Sequence, residues 1–175
     1  MSAYGTITEA GSIMFERLLP GPIERVWDYL TDAEKRGLWL AAGPMEPRAG
    51  GRVELNFRNR DLTDTKDRAP EKYAHAENCG TLNGQVTVWD KPYRLGYLWG
   101  SDGSEVTFEL TEAGDKVRLT LTHQPLPDRH SMLSVASGWH AHLGILQDRL
   151  AGVAPRPFWP THTALEREYD QRIPR

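Results

Sequence analysis

The stretch Leu18-Leu19-Pro20-Gly21-Pro22-Ile23-Glu24-Arg25-Val26-Trp27-Asp28-Tyr29-Leu30-Thr31-Asp32 reads as a strand end, a proline-initiated helix and the start of a second helix. Pro22 suits a first helical position, because its missing N–H would be unsatisfied there anyway. Ile23, Val26, Trp27 and Leu30 recur at i, i+3, i+4 and i+7, so one face of this helix is apolar and must be covered. Thr31 and Glu34 have capping-box spacing, which predicts a second short helix ending near Gly37. That helix would deliver Leu38-Trp39-Leu40 against whatever lies beneath.

Working outward, Ile13 to Leu19 reads as the strand that feeds these helices, and Gly50-Gly51 turns the chain into Arg52-Val53-Glu54-Leu55-Asn56-Phe57-Arg58. Side chains alternate along a strand, so Val53, Leu55 and Phe57 share one face and the polar residues the other. Asn59 to Asn78 is polar, contains Pro70 and exceeds the usual hairpin connection, which predicts either a mobile lid or a solvated loop. Gly80 to Trp89 is the next strand, turned by Asp90-Lys91-Pro92 into Arg94 to Trp99. The parity of the first of these sets Trp89 opposite to Val86 and Val88. Val106, Phe108 and Leu110 then alternate with polar residues, as do Val117, Leu119, Leu121 and His123 after the turn at Glu112 to Asp115. The result is an antiparallel meander with one wet face.

The apolar face needs a cover, and the long helical pattern over Ser131 to Ala151 supplies it. Met132, Val135, Trp139, Leu143, Leu146 and Leu150 fall at spacings of three and four, and Gly152 with Pro155 provides stop chemistry. A last short helix is expected over Thr161 to Tyr169, after Pro160.

Composition narrows the function classes. The chain has 175 residues, 39% hydrophobic and 26% charged, which suits one domain with one core. A net charge of −3 without a basic run gives no electrostatic case for nucleic acid or an anionic membrane. No apolar run is long enough to span a bilayer and the N-terminus lacks a signal pattern, so a cytoplasmic location is expected. Cys79 is the single cysteine, which rules out an internal disulfide and reads as a lone thiol near a strand start. No nucleophile elbow, phosphate loop, dinucleotide fingerprint or His-Glu-x-x-His pair occurs.

Four segments carry a family resemblance: Val26-Trp27 with Leu30-Thr31-Asp32 and Trp39; Gly50-Gly51-Arg52; Val106 to Leu110 leading to Leu119 to His123; and Gly138-Trp139-His140-Ala141-His142-Leu143 with Leu146 and Leu150. In order and spacing they resemble the START/SRPBCC superfamily. They resemble in particular bacterial single-domain proteins similar to the C-terminal domain of the activator of the ninety-kilodalton heat-shock chaperone's ATPase. The resemblance implies an α+β, helix-grip (START-like, birch-pollen-allergen-like) fold, in which a curved antiparallel sheet wraps a long C-terminal helix. It also implies one domain over 1–175, with its core at about 13–152 and a C-terminal extension at 153–175. Members bind varied hydrophobic ligands or have no assigned activity, and the family supplies no catalytic motif to transfer. The chaperone-activating proteins carry a separate N-terminal domain, whereas only a dozen residues precede the first strand here, so a chaperone partner is not expected.

The leading expectation is a non-catalytic protein holding a small hydrophobic or aromatic ligand between the long helix and the sheet, with no cofactor and no metal. Candidate lining residues, chosen by face and position, are Trp39, Phe57, Tyr97, Trp99, Phe108, His123, Trp139 and Leu143. His123 shares a face with Leu119 and Leu121 and could act as acid or base, although a histidine hydrogen-bonded at a strand end is the commoner case. His140 and His142 are two apart on a helix and diverge, which makes them poor joint metal ligands; His75 and Cys79 lack a third partner. Two alternatives stand beside this reading. One is a cyclase- or dehydratase-like enzyme of the same superfamily in which His123, Tyr97 or a buried carboxylate shuttles protons. The other is an interaction module, either a chaperone cofactor or a homodimer packed through a sheet edge or the C-terminal tail.

Overall fold

Period-two alternation gives every strand one apolar face, and pairing the strands into a sheet lets a single helical layer cover all of them. The computed structural model describes residues 2–8, 11–76 and 80–175. Among these, seven strands form one curved antiparallel sheet: β1 (Thr6–Thr8), β2 (Ser12–Pro20), β3 (Arg52–Phe57), β4 (Gly80–Asp90), β5 (Arg94–Leu98), β6 (Glu105–Ala113) and β7 (Lys116–Gln124). The order across the sheet is β1-β2-β7-β6-β5-β4-β3. Pairing Phe15 with Leu121 and Leu19 with Val117 puts the buried residues of β2 and β7 on the same face. Phe108 opposite Leu121 and Leu95 opposite Phe108 carry that face across to β5.

Helices α1 (Ile23–Thr31), α2 (Ala33–Gly37), α3 (Arg129–Ala151) and α4 (Phe158–Arg172) complete the fold. None among the described residues is long and apolar enough to cross a membrane. In α3, Asp128 caps the start by accepting from the Ser131 amide, and Gly152 ends the helix at φ 71°, where a side chain would be strained. The helix is buried on one side through its first half and on nearly all sides from Ala141 to Leu146. The reason is α4, which lies on the outer surface of α3 and sets Phe158 against His142 and Tyr169 against His140.

Several sequence expectations need correction. Pro22 is the N-cap of α1, in extended backbone, and the helix begins at Ile23; the Pro22 carbonyl accepts from the Arg25 and Val26 amides. The second cap is Asp32, not Thr31. Thr31 is still helical and turns its hydroxyl back to the Trp27 carbonyl, so the first extended residue, Asp32, takes the Lys35 amide at 2.9 Å. Asp32→Ala is therefore expected to cost about 1 kcal/mol in chemical denaturation, while Thr31→Ala leaves the cap intact and costs less. Trp89 lies on the same face as Val86, because a bulge between Val86 and Val88 adds a residue and reverses the parity. It pairs with Leu95 and packs edge-on against Trp27, centroids 5.2 Å apart.

The final helix starts at Phe158, three residues earlier than expected, and accommodates Pro160 in its first turn, where no amide donor is needed. Much of the long connection after β3 is solvent-exposed in its described part, yet it carries structure of its own. It forms two short 3₁₀ helices, Asn59–Leu62 and Glu71–Ala76, and docks on α3 and α4. Leu62 is buried and its carbonyl accepts from Arg149, Tyr73 stacks on Trp159 at 5.6 Å, and Lys72 pairs with Glu166 at 2.6 Å. Asn78 and the expected strand-start thiol of Cys79 lie outside the described residues.

Candidate functional site

Where α3 crosses the ends of β3, β5 and β7, the sheet and helix leave a cavity of about 130 Å³. Phe57 ends β3, Trp99 follows β5, His123 lies near the end of β7, and Leu40 arrives from the segment after α2. The helix contributes Ser134, Val135, Gly138, Trp139 and His142. The rings form a connected wall: Trp99 lies 5.2 Å from Trp139, 5.4 Å from His123 and 5.9 Å from Phe57. Phe57 is also a wall of two outer grooves. One, about 390 Å³, holds Asn56, Arg58, Asp61 and Thr81; the other, about 600 Å³, runs over Leu82, Asn83, Trp99 and Asp102.

Two buried histidines give the cavity its polarity, and their hydrogen bonds fix their tautomers. The Trp139 indole N–H can only donate, so His123 Nδ1, at 2.9 Å, must be its acceptor. The ring proton then sits on Nε2, which donates to Ser104 Oγ at 2.8 Å; Ser104 in turn donates to Asp102 Oδ1 at 2.6 Å. Burial holds the imidazole neutral, lowering its pKa to about 4 against a small opposing pull from Asp102. Both nitrogens are occupied and the serine is a proton acceptor from histidine, the reverse of an activated nucleophile. The chain Trp139–His123–Ser104–Asp102 thus anchors the indole rather than supplying an acid or base to the cavity.

His142 is wired differently. Its Nδ1 lies 2.8 Å from the Trp39 carbonyl, which can only accept, so Nδ1 carries the proton. Burial lowers its pKa to about 4 as well, with the Trp39 bond opposing and His162 contributing a smaller depression. The neutral ring leaves a lone pair on Nε2, which has no protein partner among the described residues.

Of the sequence-derived lining residues, Phe57, Trp99, His123 and Trp139 are on the cavity wall. Trp39, Tyr97, Phe108 and Leu143 are buried behind it. Trp39 donates its indole N–H to the Tyr29 carbonyl; Tyr97 stacks 6.3 Å from Trp99; Phe108 meets Trp139 edge-on at 5.8 Å. Burial pushes the Tyr97 phenol up in pKa, with the Arg36 guanidinium opposing the shift. Leu40, Ser134, Val135, Gly138 and His142 were not anticipated. Spacing held part of that signal: Val135, Gly138, Trp139 and His142 fall at intervals of three, one and three, on one side of α3. No group of three His, Cys, Asp or Glu side chains suited to a metal comes together among the described residues.

A family model described as Activator of Hsp90 ATPase homolog 1-like protein matches residues 20–151. No curated protein matches the chain. Solved structures do. A Bordetella parapertussis protein determined by solution NMR is 46% identical, with a TM-score of 0.82, covering 99% of this chain and 94% of its own. CalU16 from Micromonospora echinospora, in its crystal structure, is 20% identical with a TM-score of 0.64, covering 97% and 92% respectively. The Aha1 dimer from Colwellia psychrerythraea is 15% identical with a TM-score of 0.61, covering 79% and 95%. The last two share the fold, and the family match spans everything from the end of β2 to the end of α3. This chain therefore belongs to the Activator of Hsp90 ATPase homolog 1-like family.

Proposed function

We propose that this protein binds a small aromatic ligand in the cavity between the sheet and α3, without catalysing a reaction on it. The observation that carries the reading is the aromatic wall. Phe57, Trp99 and Trp139 surround a space of about 130 Å³, close to the ~150 Å³ apolar cavity known to admit benzene. A space this small, set in a core that otherwise packs tightly, fits one unfused ring. Larger ligands would have to place their remainder past Phe57, in the outer groove beside Asn56 and Arg58. The non-catalytic reading draws support from His123, the expected acid or base, whose two nitrogens are engaged by Trp139 and Ser104.

The test is thermal unfolding of the purified chain against single-ring aromatics, fused-ring aromatics and aliphatic lipids. A ligand at a hundred times its dissociation constant adds roughly 2.7 kcal/mol, or on the order of 5–10 °C at this chain length. The expected result is a saturable shift for the single-ring class. A panel that leaves the midpoint unmoved in every class contradicts the proposal.

A further inference from the structure

His142 is a mostly buried polar side chain on the cavity wall whose second ring nitrogen has no hydrogen-bond partner among the described residues. Its residue is 6% exposed, Nδ1 is tied to the Trp39 carbonyl, and Nε2 presents a lone pair that no protein donor among the described residues satisfies. A ligand donor that reaches this nitrogen meets it against a largely apolar wall, where a hydrogen bond is worth more than the same contact in water. The other polar wall groups do not compete for this role. His123 is closed at both nitrogens, and Ser134, one of the cavity-lining residues, is exposed on α3.

The outer face of His142 is fixed by packing, not by solvent. Phe158 of α4 lies against the ring at 4.7 Å and Phe57 at 6.2 Å, while the Trp39 carbonyl sets its rotation. The imidazole is therefore held as an oriented acceptor in the lining of the cavity that Trp99 and Trp139 also line. Resting on the ligand-binding reading above, we propose that His142 Nε2 is the polar anchor of the cavity. Its ligands are then phenol-class molecules, a single aromatic ring bearing a hydroxyl that donates to this nitrogen. Ring stacking on Trp99 and Trp139 supplies affinity for aromatics in general, and the His142 lone pair supplies the discrimination among them.

The discriminating experiment is calorimetric titration of the full chain with phenol, anisole and toluene, rings of similar size of which only phenol donates. Wild-type protein should bind phenol on the order of tenfold more tightly than either of the others. In His142→Asn the amide nitrogen can still donate to the Trp39 carbonyl, while nothing occupies the Nε2 position. That variant should bind toluene as before and lose the preference for phenol. A second readout is the ring nitrogen itself: phenol, and neither of the other probes, should move the pyridine-type ¹⁵N resonance of His142 upfield. Equal binding of phenol and toluene by wild type, or a phenol preference kept in His142→Asn, overturns the assignment of His142 while leaving a binding cavity. Binding of none of the three overturns the ligand-binding reading as well.

Discussion

Replacing Trp139 with alanine is expected to lower the unfolding free energy by about 5 kcal/mol. Truncating a buried tryptophan costs about 3–5 kcal/mol through lost packing, here against Phe108 and Trp99. A further ~1–3 kcal/mol comes from His123 Nδ1, which loses the indole N–H it accepts in a residue that is 0% exposed. For a chain of this length the melting temperature should fall by roughly 10–20 °C. Trp139→Phe helps to separate the two causes, since it keeps a ring against Phe108 while removing the N–H and part of the indole's bulk; its expected cost is about 2 kcal/mol. Equal losses in the two variants would show that ring packing adds nothing beyond the indole–imidazole bond, whereas a negligible loss in Trp139→Phe would show that packing alone holds the helix here.

Acid should destabilise the fold well before its carboxylates are protonated. His123 and His142 are held near pKa 4 by burial, and His140 is lowered to about 4 by burial reinforced by the positive charges of Arg17, Arg156 and Arg172. Burial also lowers His162. Their unfolded-state value is near 6.5, so as pH falls through 6.5 the unfolded chain takes up protons that the folded chain refuses. The stability these groups contribute is complete above pH 6.5 and is lost progressively down to about 4. Each fully buried ring contributes at most ~1.4 kcal/mol per pH unit, and the more exposed His140 contributes less because solvent screens it. The expected loss between pH 7 and pH 4.5 is on the order of 5 kcal/mol, measured by denaturant titration at a series of pH values. His142→Asn should flatten that slope by nearly one proton. A stability that stays level from pH 7 to 4.5 would mean that these rings are protonated in the fold and that the tautomers assigned to His123 and His142 are wrong.

The order of the elements was legible because each strand face and helix stripe is a local periodic pattern. Val53 and Leu55, Val106 to Leu110 and Val117 to Leu121 bury the residues their alternation predicts. What escaped the pattern is what depends on partners distant in sequence or on a single irregular residue. The bulge at Val86 and Val88 has no local signature, so Trp89 was placed on the wrong face. Arg36 sits in the polar run Ala33-Glu34-Lys35-Arg36 and reads as a surface residue. It is instead 0% exposed, its guanidinium closing the corner between α1, α2 and β3 by donating to the Thr31, Ala41 and Gly43 carbonyls. That corner positions Trp39 and Leu40, and through the Trp39 carbonyl it orients His142.

The candidate site was half legible for the same reason. Parity put Phe57, Trp99, His123 and Trp139 on the inner face, where the cavity is. Parity cannot tell an inner-face residue at the open end of the sheet from one beneath it, so Tyr97, Phe108 and Leu143 were grouped with them although they pack behind the wall. His142 was judged only as a metal ligand paired with His140. Its different role follows from Trp39, more than a hundred residues away, whose carbonyl decides which of its nitrogens is free.

The central claim, an aromatic-binding cavity between α3 and the sheet, is tested most directly by two-dimensional NMR of the ¹⁵N-labelled chain titrated with phenol. The account predicts saturable shifts of the Trp99 and Trp139 indole resonances together with the Gly138 and Val135 amides, while the indole of Trp27, packed against Trp89 away from the cavity wall, stays still. Shifts that fail to saturate, or that appear on other surfaces and spare Trp99 and Trp139, would contradict it.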